Sequence, residues 1–421
     1  MARVHIVGAG MAGLACAVHL AGRGQAVSLY EAVAQAGGRC RSYFDDKLER
    51  LIDNGNHILL AANRAALSYL EEIGSRDALV SPARAVFPFV DLRSGARWVL
   101  RPNGGPLPWW IFSPGRRIPG TRPGAYLAGL GLALARKEET VAERLDPGDP
   151  LWERFWEPLT VAALNTAPHE ASARLLWLVV RETFLRGEAA CRPLVARDGL
   201  GPCFVDPALA FLRARGTAVH FNRRLRAIVF EDGRAAALDF GADPVEIGID
   251  DWLVLALPPS VAADLLPNLQ APQEARPIVN AHIRLPGPPR LAPGMSAEVP
   301  FLGLVGGAAQ WLFLRGDVVS LTVSAAEELV EEPGEEVAAR LWADTAAALG
   351  LAPEPRPPMR VIKEKRATFA QTPQALMSRP PARTEWRNLL LAGDWTDTGY
   401  PATIESAVRS GRTAARIVTG S

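Results

Sequence analysis

The sequence predicts an α/β fold built on a parallel sheet, and three observations carry that prediction. First, an apolar run at residues 4–7 enters the turn Gly8-Ala9-Gly10-Met11-Ala12-Gly13, a helical pattern follows over 11–22, and a second short apolar run occupies 26–30. Strand, tight turn, helix and strand in that order open a Rossmann-type sheet. Second, strand-like arms at 219–230 and 235–240 flank Asp232-Gly233, which supplies hairpin-turn chemistry. They predict a three-stranded antiparallel crossover. Third, the apolar run 388–392 ends in Gly393-Asp394 and leads to a last helix over 401–418, so the chain returns to its opening sheet.

The remaining elements follow in order. Residues 66–73 read as a helix closed by Gly74. From about 81 to 207 Pro and Trp become frequent, and helical periodicity recurs around 126–137 and 171–186. This stretch reads as a separate helical insertion. A helix over 208–215 is capped by Gly216, and a buried strand over 252–257 is ended by Pro258-Pro259. A second variable section runs from about 262 to 383. The predicted division is discontinuous. Residues 1–80, 200–262 and 384–421 form a dinucleotide-binding domain. Residues 81–199 and 263–383 form an inserted α+β substrate domain with a helical, candidate membrane-facing part.

Composition narrows the function. A chain of 421 residues is long for one core, and 48% hydrophobic with 22% charged residues is ordinary for a globular protein. A net charge of +1 makes no electrostatic case for nucleic acid. No run reaches the ~18–20 apolar residues of a spanning helix. The apolar start is not read as a cleaved leader, because its glycines and Glu31 have another use. Cys16, Cys40, Cys191 and Cys203 match no zinc spacing, so no metal is expected and reduced thiols in a cytoplasmic protein are.

In the opening turn, Gly8 permits the tight bend, Gly10 lets the backbone approach a pyrophosphate, and Gly13 lets the helix sit close on the strand. The helix start offers unpaired N–H groups to phosphate. Glu31 closes the second strand, where a carboxylate can accept both ribose hydroxyls of an adenosine. Gly37-Gly38-Arg39 follows, and an Arg behind two glycines can reach a phosphate with its fork. That favours the longer FAD, held non-covalently, over NAD. Asp394 is placed to accept from a ribityl hydroxyl, and the N–H groups of Thr403 and Ile404, at a helix start behind Pro401, to face the flavin.

These segments resemble the amine oxidase and phytoene desaturase superfamily of flavoproteins. Within it, Arg39-Cys40-Arg41-Ser42, Ile52-Asp53-Asn54-Gly55-Asn56-His57, Ala163-Leu164-Asn165-Thr166 and Ala392-Gly393-Asp394-Trp395-Thr396 resemble the squalene-associated FAD-dependent desaturase family. The resemblance implies that Gly8, Gly10, Met11 and Ala12 line the pyrophosphate, Glu31 holds the ribose, and Gly38 and Arg39 meet a phosphate or ribityl oxygen. It implies that Gly55, Asn56 and His57 run beside the isoalloxazine. Leu225, on the hairpin strand, would meet adenine through its backbone, and Gly393, Asp394, Thr403 and Ile404 would complete the site.

The implied reaction is reductive dehydroxylation of hydroxysqualene to squalene in hopanoid synthesis. Alternatives are desaturation of squalene or a phytoene-type substrate, amine oxidation, or non-catalytic carriage of a prenyl lipid. Thr403 stands where amine oxidases carry an aromatic residue, and Asn280 where they carry a lysine; both oppose an amine substrate. No catalytic residue is assigned, although His57 and Asp397 lie in segments expected near the flavin. A long isoprenoid substrate would enter from a bilayer, and residues 107–134, with Trp109, Trp110, Ile111, Phe112 and Arg116-Arg117, are a candidate surface patch. The implied location is cytoplasmic and peripheral on the inner face of the membrane. No pattern points to a particular electron donor or oligomeric state.

Overall fold

The computed structural model describes residues 2–241 and 244–420; Met1, Ala242, Asp243 and Ser421, which the predicted domain ranges include, lie outside them. Strand Arg3–Val7 sits at the centre of a five-stranded parallel sheet. Ala26–Tyr30 and Ala218–His220 lie on one side of it, Trp252–Leu255 and Leu389–Leu391 on the other. Three well-separated stretches of chain therefore build one sheet. Helix Met11–Ala21 is buried along its whole length because helix Ile404–Thr419 crosses it closely. A Cβ on Gly411 would lie 2.1 Å from the Ala12 carbonyl oxygen, so glycine is what permits that approach.

The predicted antiparallel crossover exists as Ala227–Glu231, Arg234–Asp239 and Val245–Glu246. Its first arm is shorter than expected. Residues 219–230 divide at Asn222, whose φ of 56° breaks the strand, so the front half joins the parallel sheet and the back half the crossover. Leu225 consequently lies in the link before the strand, not on it.

The second large sheet has seven strands, in the order Met359–Phe369, Ala275–Arg284, Val318–Ser324, Trp311–Arg315, Phe301–Val305, Phe87–Asp91 and Arg97–Leu100. Helix Gly334–Leu349 covers one face through Val337, Leu341 and Trp342. The Trp-rich insertion packs as its own core of Trp98, Trp110, Tyr126, Phe155 and Trp156. Helical periodicity over 126–137 yields not one α-helix but Pro123–Leu127 followed by a tighter 3₁₀ stretch, Ala128–Leu134. No helix among the described residues is long and apolar enough to cross a membrane. All four cysteines are free and buried.

Candidate active site

The glycine turn behaves differently at each position. Gly8 has φ 104°, and a Cβ there would lie 2.3 Å from the Ala256 carbonyl oxygen. A Cβ on Gly13 would lie 1.9 Å from the Gly8 carbonyl oxygen. Protein packing thus accounts for both. Gly10 has ordinary extended backbone and faces open space, with nothing within 4 Å of its added Cβ. Contacts within the protein do not require a glycine there. No side chain caps the helix that starts at Met11, so its first N–H groups have no side-chain partner.

Glu31 lies against this turn. One carboxylate oxygen accepts the Ala9 N–H at 2.9 Å and the other the Val33 N–H at 3.1 Å. Each oxygen keeps a lone pair for a ribose hydroxyl. The Gly37 N–H donates to the Ala9 carbonyl at 2.8 Å, and Gly38 comes up against Gly10. The next residue, Arg39, reaches across the cleft to Asp394 at 2.8 Å and to the Ala367 carbonyl. Asp394 is buried whereas Arg39 keeps 48% of its side chain exposed, so the guanidinium retains free donor edges. Glycine turn, Gly-Gly-Arg segment and C-terminal Gly-Asp therefore converge on one cleft. Leu225 is buried in the apolar cluster that also holds Val7 and Tyr30, with its backbone outside the strand ladder that begins at Ala227. These features fit a dinucleotide: open space at Gly10, uncapped helix N–H groups, a carboxylate with lone pairs to spare, and a half-exposed cation.

The C-terminal segment is held by residues that sequence reasoning missed. The Gly393 N–H donates to Ser410 Oγ at 2.8 Å. Arg379 is buried and donates to the carbonyls of Asp394 at 3.1 Å and Tyr400 at 2.9 Å, and to Thr398 Oγ1 at 2.9 Å. Burial pulls its guanidinium down to about 10, which leaves it charged at neutral pH. Thr403 caps the last helix by accepting the Ser406 N–H at 3.3 Å. Among the described residues, the Thr403 and Ile404 N–H groups have no side-chain acceptor. Glu405, 1% exposed, accepts the N–H groups of Ala65 and Ala66 and so caps a different helix, Arg64–Glu72.

In the segment Asp53-Asn54-Gly55-Asn56-His57, three residues are clamped: Asp53, Asn54 and Asn56. Buried Asp53 accepts the Leu200 N–H at 2.9 Å, Arg315 Nη1 at 2.8 Å and the Ser42 hydroxyl. Asn54 bonds Arg41 and Glu364, and Asn56 Nδ2 donates to Thr322 Oγ1 at 3.0 Å. Asn280 donates to the Asn54 carbonyl at 3.3 Å and accepts from the Thr322 hydroxyl at 2.9 Å. His282 spans Ser320 Oγ and the Asp53 carbonyl at 2.7 and 2.9 Å. The signal for these partners was an alternation: Asn280 and His282 interrupt the apolar Val279, Ala281 and Ile283, which marks a strand with one polar face. His57 is held neutral, its pKa pushed down to about 4 by burial and by the Arg39 cation. Asp397 is exposed. Asn165, at φ 44°, ends helix Glu157–Leu164, donates to Thr368 Oγ1 at 3.0 Å and accepts the Ala325 N–H at 2.7 Å.

The chain has close relatives among known proteins. It is 48% identical to the hydroxysqualene dehydroxylase of Rhodopseudomonas palustris over 416 residues, covering 99% of this chain and 98% of that one. It is 45% identical to the hydroxysqualene dehydroxylase of Sinorhizobium fredii, over 98% and 97% of the two chains. Similarity to the 15-cis-phytoene desaturase of Synechococcus elongatus is 24%, over 99% and 95%. In fold it matches the crystal structure of a putative protoporphyrinogen oxidase from Exiguobacterium with a TM-score of 0.69 at 19% identity, covering 100% of this chain and 99% of that one. The family model for flavin-containing amine oxidoreductases spans residues 11–419, nearly the whole chain, and the chain belongs to that family.

Proposed function

We propose that this protein removes the allylic hydroxyl of hydroxysqualene reductively and releases squalene. Near full-length similarity to hydroxysqualene dehydroxylases, about twice the identity shared with a phytoene desaturase, carries this reading. FAD is the cofactor of this oxidoreductase. When bound and reduced, FAD would supply a hydride in place of the hydroxyl, which would leave with one proton as water.

The chain's own residues bind, orient and exclude. Gly8, Gly10, Met11 and Ala12 would hold the pyrophosphate, Glu31 the adenosine ribose, and Leu225 the adenine through its backbone. Gly38 and Arg39 would meet the phosphate and ribityl oxygens. Asp394 would accept a ribityl hydroxyl while anchored by Arg39, with Gly393 beside it. Thr403 and Ile404 would direct N–H groups and a helix dipole at the flavin ring. Gly55, Asn56 and His57 would form its other edge, kept in place by Asp53, Asn280 and Thr322. A neutral His57 adds no positive charge that would oppose a developing allylic cation. Asn280, bonded to Asn54 and Thr322, offers no amine, which speaks against amine oxidation. A cytoplasmic location, peripheral on the membrane that carries so apolar a substrate, belongs to the same proposal.

The test uses the flavin-loaded protein, reduced without oxygen and given hydroxysqualene. Squalene in the solvent extract together with flavin reoxidation is the expected result. Absence of squalene, with flavin bleaching by an amine instead, overturns the proposal.

A further inference from the structure

We propose that the face around residues 101–117 docks the protein onto an anionic phospholipid surface. It carries a cavity of about 560 Å³ lined by Arg84, Arg116, Arg186 and Arg192, with Glu188 at its wall. An adjoining hollow adds Arg101. Arg186 pairs with Glu182 at 2.8 Å. Among the described residues, the other four make no ion pair, and Arg192 Nε is buried without a partner. Glu188 spends an oxygen on the Ala85 N–H at 3.2 Å. A protein of net charge +1 has no general surplus of cations, so this concentration is local.

The same loop presents apolar side chains. Leu107, Trp109 and Phe112 are 58%, 63% and 54% exposed, and the two rings sit 6.1 Å apart. Their neighbours Trp110 and Ile111 are buried, so the 3₁₀ turn Trp109–Phe112 is rooted in the core on one side and bare on the other. Asn103 ties turn and cavity into one unit. It accepts the Trp110 N–H at 2.8 Å, donates to the Leu107 carbonyl at 3.0 Å and accepts the Glu188 N–H at 2.9 Å. Gly187 permits the close approach, since a Cβ there would lie 2.4 Å from the Gly105 carbonyl oxygen.

Unpaired guanidinium groups match phosphate, and exposed Trp, Phe and Leu match the boundary between headgroups and acyl chains. Stable surface binding needs both signals together, and this face supplies both. Aliphatic Leu107 beside the rings favours lipid over stacked bases. The inference needs only this surface and not the identity of the substrate.

The flavin-loaded protein is sedimented with vesicles of phosphatidylcholine alone and of phosphatidylcholine mixed with phosphatidylglycerol. Binding to the mixed vesicles is expected. The pair Arg84→Ser with Arg116→Ser weakens it about thirty-fold, from ~1 kcal/mol per arginine near the surface. Trp109→Ser with Phe112→Ser also abolishes firm binding, whereas Ile249→Ser, at an exposed residue elsewhere, leaves it unchanged. All variants keep the parent's flavin spectrum, which shows that they fold. Equal binding to both vesicle types, no vesicle binding, or unaffected arginine variants overturns the inference. So does protection of the cavity by inorganic phosphate, or retention of single-stranded DNA, without vesicle binding. Vesicle binding is read without turnover, so its failure and that of the dehydroxylation are distinguishable.

Discussion

Gly10→Ala and Gly13→Ala, three residues apart in one turn, are expected to fail in opposite ways. At Gly10 the backbone is extended, with φ −75°, and the added methyl meets nothing within 4 Å. Alanine there leaves the stability of the cofactor-free protein within about 0.5 kcal/mol of the parent. It can even raise it slightly by restricting the unfolded chain. The methyl does occupy the space that a pyrophosphate needs. Loss of one charge-assisted hydrogen bond, ~1.5–3 kcal/mol, weakens FAD binding by about ten- to a hundred-fold. At Gly13 the methyl would lie 1.9 Å from the Gly8 carbonyl oxygen and 3.2 Å from Ala256 Cβ. Those are backbone and a short side chain, so strand and helix must separate, at a cost of about 1–3 kcal/mol or more. Urea denaturation of the two cofactor-free variants, with a flavin titration of each, separates the outcomes. If Gly10→Ala loses as much stability as Gly13→Ala, or binds FAD like the parent, the cleft has been misread.

Three further outcomes follow from the same geometry. Asp53→Asn removes the carboxylate that gathers Leu200, Arg315 and Ser42, and should cost about 2–3 kcal/mol, less than a fully buried pair because Arg315 is 27% exposed; an unchanged urea midpoint contradicts the clamp. Arg39→Lys keeps the charge but cannot bridge Asp394 and the Ala367 carbonyl at once, so FAD affinity should fall about ten-fold; a parental dissociation constant refutes that role. Burial pushes His57 and His282 from 6.5 down to about 4, so the folded protein binds fewer protons than the unfolded chain between those values. Their contribution is complete above about pH 6.5 and is lost as pH falls toward 4, by up to ~1.4 kcal/mol per pH unit for each histidine. His282→Gln should flatten that slope, and an identical slope in the variant counts against the assignment.

What the sequence by itself determined is local. The Gly8–Gly13 turn, Asp232-Gly233 and Gly393-Asp394 each announce a backbone geometry within a few residues, so the parallel sheet, the crossover and the returning C-terminus were legible. Even locally the reading slipped where tertiary packing overrode propensity. Gly129 must clear Trp156, whose ring atoms would lie 2.3 Å from an added Cβ, and the helix expected there tightens into 3₁₀ turns. The tertiary structure alone decided which polar groups meet. Arg39 finds Asp394, Glu405 finds the start of helix Arg64–Glu72, and Asp53 finds Leu200 and Arg315. The alternation of Asn280 and His282 shows that a strand has a polar face, yet not what that face touches. A side chain's partners depend on how distant stretches of chain are brought side by side, and short-range propensities carry no record of that arrangement.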